Sequence, residues 1–133
     1  MVYSSEYMTT KNLEILIADD NDINRYVLME MLRKLGHKVK GARHGKEAVQ
    51  LAAQHSYDMI FMDLRMPELG GIEAVQQIRS AISENEKQPY IIACSTDLLN
   101  VDLLSESKMN AYISKPLRKR VIEEALSDWE DLR

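Results

Sequence analysis

A chain of 133 residues with a single cysteine cannot close an internal disulfide. That residue, Cys94, lies in an apolar run and reads as a buried free thiol. No apolar run approaches the roughly 18–20 residues of a membrane span, so this segment is not expected to enter a bilayer. Met1 to Thr10 has no basic region followed by an apolar stretch, which argues against a secretory signal. Positive charge is not in excess either. Lys and Arg number 17 against 21 Asp and Glu, a net charge of −4, which argues against nucleic acid as a direct partner. Lys115, Arg118, Lys119 and Arg120 form a short basic cluster that reads as the solvated start of a helix. Internal repeats, low-complexity stretches and linkers are also missing. These absences leave one globular domain, expected in the cytoplasm or in the cytoplasmic part of a membrane-bound protein.

Five short apolar runs alternate with segments of helical period. The runs are Leu13 to Ala18, Val39 to Ala42, Met59 to Met62, Tyr90 to Cys94 and Tyr112 to Ser114. Apolar runs without alternation suit strands covered on both faces. Ile23, Val27, Met31 and Leu35 recur every fourth residue, and Gly36 offers a stop. Ala48, Leu51 and Ala52 mark a second helical face, and Ile72, Val75, Ile78 and Ile82 a third. Leu98 to Met109 has room for a short fourth helix. Val121, Ile122, Ala125, Leu126 and Trp129 mark a fifth after Pro116. Strand and helix repeated five times predict an α/β fold, a doubly wound parallel sheet with right-handed crossovers. Residues 1–11 read as a loose tail and 12–133 as the domain.

Asp19 and Asp20 follow the first strand, Asp63 the third, Ser95 the fourth and Lys115 the fifth. Ligands of an open parallel sheet bind outside the carboxyl ends of its strands, so these residues are aimed at one edge. Three carboxylates in one pocket repel each other, and a hard divalent cation relieves the conflict. Oxygen-only ligands suit Mg²⁺ or Mn²⁺. Lys115 adds a mobile ammonium of the kind that holds phosphate, and Ser95 adds a hydroxyl donor. The set describes a phosphoryl-acceptor site with Asp63 as nucleophile. Taken singly, each residue has a plainer account. Asp19-Asp20 can cap a helix, Asp63 can sit in a turn, Ser95 can be an N-cap, and Lys115-Pro116 says only loop. Their joint placement at strand ends favours the site.

The run Ile15 to Asn24 (ILIADDNDIN) resembles the opening of response-regulator receiver domains. So do Tyr57 to Pro67 (YDMIFMDLRMP), with Gly71 after it, and Tyr112 to Leu117 (YISKPL). The resemblance covers about residues 12 to 130. Asn21, Asn24, Leu35-Gly36 and Gly45 to Ala48 look most like receivers of hybrid histidine kinases. The resemblance implies a flavodoxin-like sheet of order 2-1-3-4-5. It implies Asp63 as phosphoacceptor, with Asp20, Asp63 and the Arg65 backbone carbonyl binding the metal and Asp19 contacting it through water. Lys115 would hold the acyl phosphate beside a cis peptide bond to Pro116. Ser95 would swing toward the phosphoryl oxygens and couple them to Tyr112, whose ring would move between outward and inward positions.

The chain departs from the pattern in places. Ser95 stands where Thr is commoner, Gly70 where Asp often precedes Gly71, and Lys108 where Gly often ends the fourth helix. The stretch from Ser95 to Lys115 is about two residues short. Arg65 and Asp97 each lie two residues beyond a site residue and are expected to flank it and tune the phosphoryl lifetime. The expected function is acceptance of a phosphoryl group from a histidine kinase or a histidine phosphotransfer protein, switching binding of an unknown output partner. Enzymatic activity is expected only toward its own aspartyl phosphate. A pseudo-receiver that works without phosphorylation is one alternative. An Asp-nucleophile phosphohydrolase is the other, but Arg65 stands where such enzymes place a general acid. With no output domain after Arg133, a stand-alone regulator and an excised hybrid-kinase receiver both fit.

Overall fold

The computed structural model describes residues 12–83, 85–96 and 107–132. The expected tail, residues 1–11, and Asp97 lie outside them. The elements run β1 (Glu14–Ala18), α1 (Asp22–Lys34), β2 (Lys38–Ala42), α2 (Gly45–Gln54), β3 (Met59–Asp63), α3 (Gly71–Ala81), β4 (Tyr90–Ser95), β5 (Ala111–Ser114) and α4 (Lys119–Asp131). All strands pair in parallel in the order β2-β1-β3-β4-β5, the order the resemblance implied.

The continuous apolar runs are explained by two cores, one on each face of the sheet. Successive side chains of a strand point to opposite faces. Ile15, Ile17, Met59, Phe61, Ile92 and Cys94 therefore pack with Leu28 and Leu32 of α1 and with Ile122, Leu126 and Trp129 of α4. Leu16, Ala18, Ile60, Met62, Ile91 and Ala93 pack with Ala48 of α2 and with Ala74, Val75 and Ile78 of α3. The edge strand β2 exposes Lys38 and Lys40, whose charges discourage pairing with another chain.

Four helices are present among the described residues. Most of the expected fourth helix, Leu98 to Met109, lies outside them, and Ser107 to Met109 are not helical. Lys108 adopts a φ of 60°, the left-handed conformation that favours glycine. Its carbonyl accepts from Arg79 Nε at 3.0 Å and Nη2 at 2.9 Å, and Arg79 also reaches the Pro89 carbonyl at 2.7 Å. One side chain of α3 thus ties together the segments leading into β4 and β5.

Helix α1 corrects the expected apolar face. Leu28 and Leu32 are buried, Met31 and Leu35 pack only in part, and Ile23 and Val27 are 75% and 44% exposed. Apolar residues occupy more than one stripe of this helix, and packing against the sheet selects the stripe through Leu28.

His37 is buried, and its Nδ1 accepts the backbone N–H of Leu13 at 3.0 Å. Burial lowers its pKa from the ordinary value, against a smaller upward pull from Glu130. A lowered pKa means the unfolded chain binds the proton better, so the neutral His37 stabilises the fold above about pH 6.5 and that contribution falls as pH drops below it. Urea unfolding at pH 7.5 and pH 5.5 should show a larger acid loss in the wild type than in His37→Gln. Equal losses would remove His37 as the cause.

Candidate functional site

Parallel pairing in this order brings the carboxyl ends of β1, β3, β4 and β5 to one edge. Register keeps the ends nearly level, with Asp63 opposite Cys94 and Ser95 opposite Ser114. Asp63 closes β3, Ser95 closes β4, Asp19 follows β1 and Lys115 follows β5. Asp19, Asp20 and Asp63 offer carboxylate oxygens that all lie within 4.8 Å of one another. Lys115 Nζ stands 3.3 Å from Asp19 Oδ2 and 3.2 Å from Asp63 Oδ2.

The helix-cap account of the acid pair does not hold. Asn21 is the N-cap of α1, its Oδ1 accepting the Asn24 N–H at 2.9 Å. Asp19 Oδ1 instead accepts the N–H of Asn21 at 2.9 Å, which orients Asp19 and leaves its other oxygen to Lys115.

Charges in this edge are coupled. Burial raises the Asp63 pKa; Lys115 and the Arg65 N–H, which donates to Asp63 Oδ1 at 3.2 Å, pull it back, and Asp19 adds to the rise. The net direction is upward, so the ammonium and the Arg65 N–H do not offset the burial of this carboxylate. Burial would lower Lys115, but Asp19 and Asp63 outweigh it and hold its pKa above the usual value. Burial pushes the Cys94 thiol up to about 12, so it stays protonated beside the site.

Ser95 is buried, and its backbone carbonyl accepts from the Lys115 N–H at 2.8 Å and the Tyr112 hydroxyl at 3.4 Å. The Lys115–Pro116 peptide bond is cis. The loop after Asp63 is hemmed in by glycines. A Cβ at Gly45 would overlap the Leu69 carbonyl oxygen, and one at Gly71 the Asp63 carbonyl oxygen. A cleft of about 430 Å³ opens beside Asp19 and Lys115, walled by Val27, Leu28, Pro116 and Leu117.

A family model described as the response regulator receiver domain matches residues 15–127. The chain belongs to this family. Among curated relatives, the autoinducer 2 sensor kinase/phosphatase LuxQ of Vibrio parahaemolyticus is 32% identical over 122 residues, 90% of this chain and 14% of that protein. Hybrid signal transduction histidine kinase E of Dictyostelium discoideum is 32% identical over 130 residues, 95% of this chain and 8% of that protein. The receiver thus spans a small part of the hybrid kinases it resembles. Among solved structures, the receiver domain of sensor histidine kinase PA1611 from Pseudomonas aeruginosa, with a magnesium ion in its active-site cleft, is 35% identical with a TM-score of 0.79, covering 91% of this chain and 99% of that one. The co-crystal structure of the Saccharomyces cerevisiae histidine phosphotransfer protein Ypd1 with the receiver domain of Ssk1 contains a chain 30% identical, with a TM-score of 0.80, covering 91% of this chain and 90% of that one.

The donor set of this receiver fits a hard dication. Its ligand atoms are all oxygens, and three carboxylates share a single ammonium. Two features escaped the sequence reading. Ile23, Tyr26 and Val27 are exposed on α1, and Val27 also walls the cleft. Arg25, on the same helix, donates to the Asp19 backbone carbonyl at 2.7 Å. The signals available were the second apolar stripe of α1 and an arginine one turn past the acid pair, but neither reveals what it meets.

Proposed function

We propose that this receiver is the phosphoacceptor of a two-component phosphorelay, taking a phosphoryl group from a phosphohistidine onto Asp63. The observation that carries the reading is the Asp63 carboxylate, 3.2 Å from an ammonium and clustered with two further carboxylates at the strand ends. In the transfer, an Asp63 oxygen forms a bond to phosphorus as the phosphorus–nitrogen bond of the donor breaks, and the freed imidazole regains a proton. Hydrolysis later joins a water oxygen to phosphorus and returns the Asp63 carboxylate. Asp19, Asp20, Asp63 and the Arg65 carbonyl would hold Mg²⁺ or Mn²⁺, which supplies charge neutralisation for the phosphoryl oxygens. Lys115 leaves its carboxylate partners to grip the acyl phosphate. The Ser95 hydroxyl meets a phosphoryl oxygen, and Tyr112, whose hydroxyl lies on the Ser95 carbonyl, carries the change to the partner surface.

Arg65 tunes the lifetime of the phosphoryl group from two residues beyond the acceptor, together with Asp97. The domain works in the cytoplasm, within a hybrid kinase or beside one; no described helix is long and apolar enough to cross a membrane. The donor, a kinase or a histidine phosphotransfer protein, docks over Ile23, Tyr26 and Val27, which are exposed on α1 and of which Val27 also walls the cleft.

Intact mass after incubation with acetyl phosphate and Mg²⁺ tests the reading. One added phosphoryl group, lost with chelator, is expected. Tyr26→Glu should keep labelling by acetyl phosphate but slow transfer from a phosphohistidine protein by about tenfold or more, in line with loss of an interface anchor. Arg65→Ala should shorten the lifetime of the label, because Arg65 and Asp97 hinder the attacking water, and an unchanged lifetime in both Arg65→Ala and Asp97→Ala would end the tuning role. No labelling by acetyl phosphate or by any phosphohistidine donor would leave a pseudo-receiver.

A further inference from the structure

Asp19, the residue after β1, still reaches the neighbouring strand, its N–H donating to the Ala42 carbonyl at 3.1 Å. The carbonyl of Asp19 lies beyond the last rung to β2. It accepts from a side chain instead, Arg25 Nη1 at 2.7 Å. The other end of that guanidinium is held by Asp22, and the Arg25 side chain is only 14% exposed although it carries a full charge near the start of a surface helix. Room for it comes from Gly41 on the neighbouring strand. A Cβ there would stand 3.1 Å from Arg25 Cδ and 2.8 Å from Met29 Sδ.

A peptide unit is planar, so fixing its oxygen fixes the plane. The Asp19 carbonyl belongs to the Asp19–Asp20 peptide, and its orientation sets the direction in which Asp20 leaves the chain. Asp20 is exposed, and its carboxylate has no hydrogen bond or ion pair among the described residues that would orient it independently. Asp19 differs, since its carboxylate is held by the Asn21 N–H and by Lys115.

We propose that Arg25 is a positioning residue for the metal site: through the Asp19 carbonyl, and in the slot left by Gly41, it orients the Asp19–Asp20 peptide so that Asp20 faces the cation. The proposal rests on the reading of the acid cluster as a Mg²⁺ site. It also carries a sign that separates it from simple electrostatics. The guanidinium is a positive charge near a dication, so if charge were its main effect, removing it would tighten Mg²⁺ binding. If position is its effect, removing it weakens binding.

Calorimetric titration of the whole chain with Mg²⁺ alone distinguishes these. Arg25→Ala is expected to weaken Mg²⁺ binding roughly tenfold, the scale seen when partners that orient metal ligands are removed. Arg25→Lys, which keeps one donor, should recover part of the loss. Gly41→Ala keeps the charge but fills the slot, and should also weaken binding. Circular dichroism and urea unfolding would show each variant folded, and a merely structural arginine would lower the unfolding midpoint without moving the Mg²⁺ affinity of the folded protein. Unchanged or tighter binding in Arg25→Ala would overturn the role; should that variant fail to fold, unchanged binding in both Arg25→Lys and Gly41→Ala would do the same. A wild type that binds no Mg²⁺ would instead bring down the reading of the site, and the role of Arg25 with it.

Discussion

Asp63→Asn should accept no phosphoryl group from any donor while remaining folded. The amide matches the carboxylate in shape, so the end of β3 and its pairing with β4 need not move. What changes is nucleophilicity and charge. An amide oxygen does not form the acyl phosphate, and the acidic cluster loses one of its three carboxylates. Stability responds little, because two effects oppose each other. The 3.2 Å ion pair with Lys115 is lost, but Lys115 keeps Asp19 at 3.3 Å, and the cost of burying a carboxylate, which raises the Asp63 pKa, is relieved. A net change within about 1–2 kcal/mol follows from such offsetting of a buried pair by its desolvation. Intact mass with acetyl phosphate and with a phosphohistidine protein reads the first effect, and urea unfolding the second. A phosphoryl group retained on Asp63→Asn would place the acceptor elsewhere and would dismantle the mechanism. Asp19→Asn is the informative contrast, since it removes a carboxylate but keeps the nucleophile, and it should slow labelling without abolishing it.

The residues of this edge were legible in the sequence because each ends an apolar run. A strand buried on both faces announces itself by lacking polar residues, and the first polar residue beyond it marks where the chain leaves the core. Asp63 and Lys115 are such residues, and parallel topology then places them together. The period of α1 was equally plain, but its orientation was not. Ile23 and Val27 repeat at the same spacing as the buried stripe, so only contact with the sheet decides which side faces inward. Long-range bonds between unlike groups were also out of reach. His37 is buried because it accepts a main-chain N–H from 24 residues earlier. Lys108 holds a glycine-like conformation under two bonds from Arg79, 29 residues away. Arg25 meets a glycine on β2 and a carbonyl just after β1, neither of which has a side-chain signature. Side chains that meet main chain leave little trace in pattern.

Gly71→Ala should disturb the protein more than any substitution of a surface residue around the site. Gly71 is the first residue of α3 and is buried against the main chain that carries the acceptor. A methyl group there would overlap the Asp63 carbonyl oxygen and stand 2.8 Å from Leu64 Cα. Both atoms are backbone, so no side-chain rotamer change can make room. The conformation itself is not the difficulty, since Gly71 has no left-handed φ and alanine favours helix. The cost is steric, and relief requires α3 to back away from the end of β3. Overpacking of this kind costs about 1–3 kcal/mol, and contact between backbones puts Gly71→Ala at the upper end. The displacement would fall on the turn from Asp63 to Gly71, where the Arg65 N–H binds Asp63 Oδ1 and the Gly71 N–H binds the Leu64 carbonyl at 3.1 Å. Acceptor geometry and stability should therefore fail together, with a lower urea midpoint and slower labelling by acetyl phosphate in the fraction that remains folded. Gly70→Ala is the control, because its nearest contact is the Leu64 carbonyl at 3.4 Å and its substitution should cost much less. Equal stability of the two variants would show that the close approach of α3 to the acceptor strand is not a constraint on this fold.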